Sequence, residues 1–403
     1  DWVERVLGSA GIAPIRLGRS DDKANVVATL DGPSDLRPFV LSHHMDVVAA
    51  PADQWSVDPF GGLVKDGFVW GRGALDMKGF GILTIVCALE LARLGVELRR
   101  PVRLVVTADE EVGGEDGAKW LAANHLSDVD GEFFWTEGSF ATYREEGTFY
   151  GVEVAQKGVG AVKLTVRGQP GHASAPTEDN AVVRMSEVLA KIGRYRSELG
   201  AREFVVRYLD ALPKELTRFD GSFEGLSDEE LEDTLGRLRR SGERRPTMMR
   251  NTFTPTIVHA GVGQNVIPAV CEAYLDCRAR PGVDGDAVLA EIASVIDDET
   301  VELELVKNSV GTESPVDTEF FGALRDAITS VRPGAYVIPH MGSGGTDAKH
   351  LRPHGMVCYG LIPFEMQIGE LHRIHGIDER VSVENIELGL RVMWETILRL
   401  CVP

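Results

Sequence analysis

The chain has 403 residues, 62 acidic against 42 basic side chains, and a formal net charge of −20. At roughly 100–200 residues per domain this predicts two or three domains with sizeable cores. No apolar run approaches the ~18 residues of a membrane helix, so a helical membrane protein is excluded, and the acidic balance disfavours nucleic acid as a partner. The five cysteines are scattered without a CxxC pair, which argues against a zinc ribbon or a disulfide framework and predicts a reducing, cytoplasmic setting. The first residue is Asp1 rather than Met, which leaves room for a trimmed leader.

In chain order, "RPFVLSHHMDVV" (37–48) reads as a buried strand ending in polar residues. "GILTIVCALELARLG" (81–95) is a helix by the spacing of Ile82, Ile85, Val86, Leu89 and Ala92, with Gly95 as its stop. "RPVRLVVTADEEVGG" (100–114) and "GEFFWTEGS" (131–139) are two more strands with acidic ends. Strands alternating with helices predict an α/β fold with a mostly parallel sheet. "GAVKLTVRGQPGHASAP" (160–176) alternates like a half-exposed strand. Residues 195–250 are densely charged, with a capping box at Ser227 and Glu230 before a surface helix. "TPTIVHAGVGQNVIP" and "AVCEAYLDCRARPG" read as two antiparallel strands, "GMVCYGLIPF" (355–364) as a buried strand, and 383–401 as a final helix. The expected organisation is a catalytic α/β domain (1–156 and 309–403) interrupted by an inserted α+β domain (157–308).

The polar clusters stand at strand ends: His44 and Asp46, then Glu110 and Glu111, then Glu137, with Asp76 in the Gly-rich loop "GRGALDMKG" (71–79). Open α/β sheets bind ligands outside the carboxyl ends of their strands, so these groups converge on one rim. Carboxylates gathered there need a cation, and a His/Asp/Glu set suits zinc, with cobalt or manganese as substitutes. A bridging carboxylate among them would hold two metals ~3.5–4 Å apart. Singly, each has an ordinary reading: His44 with Asp46 as a strand-end hydrogen bond, Glu110–Glu111 as a solvated turn, "GSGGTDA" as a loop. Their joint occurrence at successive strand ends is what those readings leave unexplained.

With "HHMDVV", "GRGALDMKG", "ADEEVGG", "TEGS", "GHASAP", "NVIP", "GGTDA" and "IHGIDERV" in this order, the chain resembles the di-zinc amidohydrolase and peptidase family. That family contains acetylornithine deacetylase, succinyl-diaminopimelate desuccinylase, aminoacylase and glutamate-releasing carboxypeptidases. The resemblance spans nearly the whole chain and is weakest over 195–250. It implies a zinc-peptidase-like catalytic domain carrying a ferredoxin-like lid and dimerisation insert, and two zinc ions per chain. His44, Asp76 and Glu137 would hold one zinc, and Asp76, Glu111 and His375 the other, with His372 as the competitor of His375. Asp46 would orient His44, Glu110 would be the general base, and the Asp76–Met77 peptide would be cis. His172, Asn265, Arg278, Gly345 and Thr346 would bind the substrate, Arg278 taking a free carboxylate, and His172 would reach a partner's site across a homodimer.

The implied activity is hydrolysis of an amide in N-acyl amino acids or C-terminal peptide bonds by a metal-bridged water, on a small-molecule or peptide substrate with a free carboxylate. Glu137 favours deacylases and carboxypeptidases over a dipeptidase of the same family, the second reading. A metal-binding but inactive relative acting as a binding module is the third, against which the retention of Glu110 counts.

Overall fold

The structure is a computed structural model and describes residues 1–33, 35–200, 202–240 and 248–403. Its larger sheet has nine strands. Pro14–Gly18, Ala24–Leu30, Val102–Thr107, Phe39–His44, Phe133–Arg144, Val357–Met366, Gly147–Gln156 and Thr312–Glu313 lie side by side in that order, and Tyr336–Gly342 also pairs with Gly147–Gln156. The middle four run parallel, while the flanks are joined by antiparallel pairs apart from the parallel pairing of Tyr336–Gly342 with Gly147–Gln156, so the sheet is mixed.

Phe39–His44 is buried along its whole length, as expected for a central parallel strand covered on both faces. Side chains alternate across it: Phe39 and Leu41 join the core under the helices Lys78–Leu94, Glu319–Val331 and Val383–Cys401, and Val40 joins the opposite core with Leu121 and Leu351. The same alternation separates the two consecutive histidines. His43 lies against the Lys78–Leu94 helix, where a Cβ on Gly81 would come within 2.6 Å of its ring and Thr84 Oγ1 lies 2.9 Å from Nδ1. His44 emerges at the strand end.

The Lys78–Leu94 helix stops as expected at Gly95, whose φ of 59° is left-handed. Its buried side overlaps the predicted stripe only in part. Ile85 is buried as expected, and Leu89 and Ala92 pack partly buried against the core, together with buried Phe80, Leu83, Cys87, Ala88 and Leu91, whereas Ile82 and Val86 remain 41% and 37% exposed. The helix is apolar on nearly every side, so periodicity alone does not select its inward face. Contact of Gly81 with His43 helps set it.

A second sheet of four antiparallel strands has the order Thr252–Ala260, Val270–Ala279, Gly158–Arg167, Glu302–Ser309. With the helices Ala181–Arg194 and Gly285–Ile296 between its strands in sequence, it follows the ferredoxin-like β-α-β-β-α-β plan. Val270–Ala279 alternates strictly: Cys271, Ala273, Leu275 and Cys277 face its core, while Asp276 and Arg278 stand on the other side. All five cysteines are buried free thiols. The charged segment expected over 195–250 runs into 241–247, which lies outside the described residues. Its capping box forms, Ser227 N–H donating to Glu230 (2.7 Å) and Glu230 N–H to Ser227 Oγ (3.3 Å). The helix it starts, Asp228–Arg240, is more than a surface appendage. Leu231, Leu235 and Leu238 are buried in the larger core with Phe204, Tyr208 and Phe223. Among the described residues no helix is long and apolar enough to cross a membrane.

The helix correction has a direct check. Ile82→Lys should change the denaturant unfolding free energy by less than about 0.5 kcal/mol. Leu91→Ala, which empties a buried site, should cost about 2–5 kcal/mol. Equal losses in the two variants would contradict the observed face.

Candidate metal centre

Asp76 stands between two histidines. Its Oδ1 is 3.1 Å from His44 Nε2 and its Oδ2 is 3.0 Å from His375 Nε2. His44 Nε2 also lies 3.7 Å from Glu137 Oε1, and His375 Nε2 lies 3.1 Å from Glu111 Oε2. His372 instead bonds through Nδ1 to the Gly369 carbonyl. Ligand atoms of His44, Asp76 and Glu111, and of His44, Glu110 and Glu137, fall within 4.8 Å of one another.

Each side chain reaches this place for a local reason. Asp46 follows the strand that ends in His44, but its carboxylate is not the closest group to that ring. His44 Nδ1 is 2.9 Å from the Asp46 backbone carbonyl and 3.6 Å from Oδ1. The carboxylate accepts the N–H groups of Glu110 (3.2 Å) and Glu111 (3.1 Å), fixing the turn that presents them. From behind, buried Asn25 accepts the Ala108 N–H (2.9 Å) and donates to the Asp116 carbonyl (2.9 Å).

Glu137 is aimed by a bulge. Gly360 pairs with Thr136 and Leu361 with Ser139, leaving Glu137 and Gly138 without partners in the register. The close crossing needs glycine on both sides, since a Cβ on Gly360 would lie 2.2 Å from the Glu137 carbonyl and one on Gly138 2.7 Å from Gly360. Asp76 comes from a loop with a cis Asp76–Met77 peptide. That loop is gathered around Glu379, a wholly buried carboxylate the sequence reading did not single out. Glu379 accepts from Arg72 Nη1 (2.6 Å) and from the backbone N–H groups of Gly73 (3.0 Å), Leu75 (2.7 Å) and Asp76 (3.1 Å).

The donors suit metal ions. Two ligands of one tetrahedral ion at ~2.1 Å lie about 3.4 Å apart, and the four histidine–carboxylate separations of 3.0, 3.1, 3.1 and 3.7 Å bracket that value. Among the described residues Glu111 Oε1 is buried without a hydrogen-bond partner. Burial pushes the Glu110 carboxyl up to about 9, with the charges of Glu137 and Asp347 adding to the shift. It raises Glu137 to about 7 despite the contact with His44, and raises Glu111 and Asp347 as well. Asp347, held by Thr107 Oγ1 at 2.7 Å, was also missed; it lies inside the quoted motif "GGTDA". A divalent cation pair is what would let these carboxylates ionise together.

The cluster opens on a cleft of about 750 Å³ that Gly345, Thr346 and Lys157 also line, together with Lys307 from the second sheet. A smaller recess of about 320 Å³ shares Asp76 and Glu137 with it and is walled by Phe140, Ile362, Leu371 and Ile374. Three expected substrate contacts lie outside the cleft lining. His172 is exposed on a two-residue strand, its Nδ1 accepting from Ser174 N–H at 3.2 Å. Exposed Asn265 accepts the Ala173 N–H (3.0 Å) through its backbone carbonyl. Arg278 forks onto Asp276 through Nε (2.8 Å) and Nη2 (3.1 Å) and donates from Nη1 to the Ser343 carbonyl (2.9 Å).

Fold and site together define an α/β metallohydrolase with an inserted β-rich unit and a candidate di-metal centre. The chain belongs to the peptidase family M20/M25/M40, whose model matches residues 40–399. Mouse N-fatty-acyl-amino acid synthase/hydrolase PM20D1 is 29% identical over 390 residues, covering 90% of this chain and 74% of the mouse protein. The succinyl-diaminopimelate desuccinylase of Cereibacter sphaeroides is 27% identical over 410 residues, covering 99% of this chain and 92% of its own. The M20 family metallo-carboxypeptidase Sso-CP2 from Sulfolobus solfataricus shares the fold, with a TM-score of 0.68 at 17% identity over 99% of this chain and 92% of that one.

Two variants test the supports of the site. Glu379→Gln removes half of a buried ion pair and should cost about 3 kcal/mol or more, read from the denaturant midpoint, with weaker binding of added divalent metal. Unchanged stability and metal affinity would mean the Asp76 loop does not depend on Glu379. Buried Glu153, which accepts from Gln156 Nε2 at 2.7 Å, has its carboxyl lifted by burial from the ordinary 4.5 to about 7. The unfolded chain therefore gives up this proton first, and the group withdraws stability as pH rises from 4.5 to 7, by about 3 kcal/mol in all. Glu153→Gln should be the more stable protein at pH 8 and should converge on wild type near pH 4.5. Parallel stability–pH curves for the two proteins would refute this.

Proposed function

We propose that the protein is a two-zinc amidohydrolase acting on N-acyl amino acids or on C-terminal peptide bonds. The observation that carries this reading is Asp76, whose two oxygens face different histidines, the arrangement a bridging carboxylate requires. His44, Asp76 and Glu137 would hold one zinc and Asp76, Glu111 and His375 the other, and cobalt or manganese could replace zinc at such donors. The bound pair would supply Lewis acidity to the scissile carbonyl and acidify the attacking water.

Glu110 is the base in this reading. Its backbone is fixed by Asp46 and its carboxylate lies beside the cluster. It takes a proton as the C–O bond forms and delivers it to the nitrogen as the C–N bond breaks. The apolar recess next to Asp76 and Glu137 suits a hydrophobic group on one side of the amide. The names of the mouse and bacterial relatives, which pair acyl groups with amino acids, support the same substrate class. In this reading His172, exposed and outside the lining of its own cleft, would serve a partner's site in a homodimer.

Freshly purified protein should carry about two zinc equivalents and hydrolyse members of an N-acyl amino acid panel. Glu110→Gln should keep the metal and lose about 10²–10⁴-fold in kcat, whereas Asp76→Ala should lose both. Full turnover by chelated, metal-free protein would overturn the reading.

A further inference from the structure

The helices Ala181–Arg194 and Asp228–Arg240 belong to different cores. Met185, Val188 and Ile192 of the first are buried in the insert, and Leu231, Leu235 and Leu238 of the second in the larger core. Residues of both helices, with 250–255 at the start of the edge strand Thr252–Ala260, line a crevice of about 490 Å³. That is within the size range of small-molecule sites. It shares no lining residue with the cleft or the recess at the metal centre. Arg250 links its two sides, donating from Nη1 to the Ser197 carbonyl (2.6 Å) and pairing through Nη2 with Glu232.

The crevice is cationic in an acidic protein. Arg196, Arg239 and Arg250 line it with one carboxylate, Glu232, and Arg250 already takes that group. Arg196 donates from Nη1 to the carbonyls of Tyr195 (2.6 Å) and Gly193 (3.2 Å). Among the described residues neither Arg196 nor Arg239 has a carboxylate partner. Burial, and then the charge of Arg196, lower the Arg250 guanidinium below its ordinary value, and an anion beside them would relieve that repulsion. The remaining walls are apolar. Ile192, Leu235 and Pro255 contribute, and the Phe253 ring lies within 8° of parallel to that of Tyr195 at 6.3 Å. Tyr195 is fixed by its hydroxyl, which donates to Glu291 at 2.9 Å.

Two glycines leave this space unfilled. Gly193 lies in the last turn of one helix and Gly236 in the interior of the other, and neither has the left-handed φ that asks for glycine. Glycine weakens a helix relative to alanine. A Cβ added at Gly193 would meet nothing within 4 Å, and one at Gly236 only the Arg240 guanidinium at 3.4 Å. Packing therefore requires glycine at neither position, while both border the crevice.

We propose that this crevice binds a carboxylate carried on a medium-length apolar body, with Arg196 and Arg239 taking the carboxylate and Leu235 and Phe253 flanking the body. A guanidinium matches a carboxylate with paired N–H donors, which gives the charged end its selectivity. The site is separate from the metal centre and stands whether or not that centre cleaves amides.

Calorimetric titration of octanoate into the zinc-loaded protein tests it, with octanamide as the neutral analogue and acetate as the truncated one. Octanoate should bind, and each analogue should bind at least about 10-fold more weakly. A metal centre also attracts carboxylates, so variants locate the site. Arg196→Ser combined with Arg239→Ser changes two exposed side chains and should weaken octanoate at least about 10-fold. Gly236→Phe, which fills the crevice, should do the same, whereas Asp76→Ala should keep the site at wild-type affinity. Gly236→Ala should retain binding and melt above the wild type. Should Gly236→Phe fail to fold, the paired arginine variant decides alone. Absence of octanoate binding, equal binding of octanamide, binding that survives the paired arginine substitution, or binding that disappears in Asp76→Ala would each overturn the assignment.

Discussion

Asp76, Glu110, Glu111 and Glu137 meet around His44 and His375 at the carboxyl rim of the central sheet, where burial withholds water from them and their charges repel. Such a cluster does not assemble by attraction among its members. It is held by groups that do no chemistry themselves. Asp46 clamps two backbone N–H groups, Asn25 fixes the turn from behind, and Glu379 gathers three further N–H groups and Arg72. Two of these three supports are themselves carboxylates. Their negative charge is matched to backbone N–H donors and one guanidinium, so they add little to the repulsion they help contain.

The strand-end positions of His44, Glu110, Glu111 and Glu137 were legible in the sequence because a parallel sheet converts a linear order of apolar runs into one shared rim. Antiparallel strands of the insert and the terminal helix Val383–Cys401 were legible through alternation and helical period, while the ferredoxin-like plan of the insert came from the family resemblance. The inward face of Lys78–Leu94 was not, since Ile82 and Val86 are as apolar as the residues that are buried. Glu379 and Asp347 lay inside motifs that had been read, yet nothing in a linear string distinguishes a carboxylate that accepts three backbone N–H groups from one in water. Gly138 and Gly360 carried a usable signal, glycine inside a strand, which points to a bulge or a close backbone approach.

Arg278 shows the converse. The family resemblance made it the expected partner for a substrate carboxylate, and the period of two also places Asp276 on the same side of the strand. Residues i and i+2 on one face of a strand are neighbours, and Asp276 engages two of the five N–H donors of Arg278. Lys157 lacks such a neighbour. In the sequence it is one lysine at the end of an apolar run; in the structure it is a buried charge next to two arginines.

The cleft also departs from the charge of the whole molecule. A surface at −20 repels an anionic substrate at long range. Lys119, Lys157, Lys307 and Lys349 all line the cleft, against five carboxylates. With every carboxylate ionised the local sum is slightly negative, and two divalent cations would make it positive. The protonated amines and the metals would then act together, drawing a carboxylate inward while the acidic exterior disfavours binding elsewhere. Metal loading would thus decide both the reactivity of the site and the sign of the field at its mouth. On this argument the lysines contribute most when the carboxylates around Asp76 are neutralised, because only then does their charge face the substrate uncompensated.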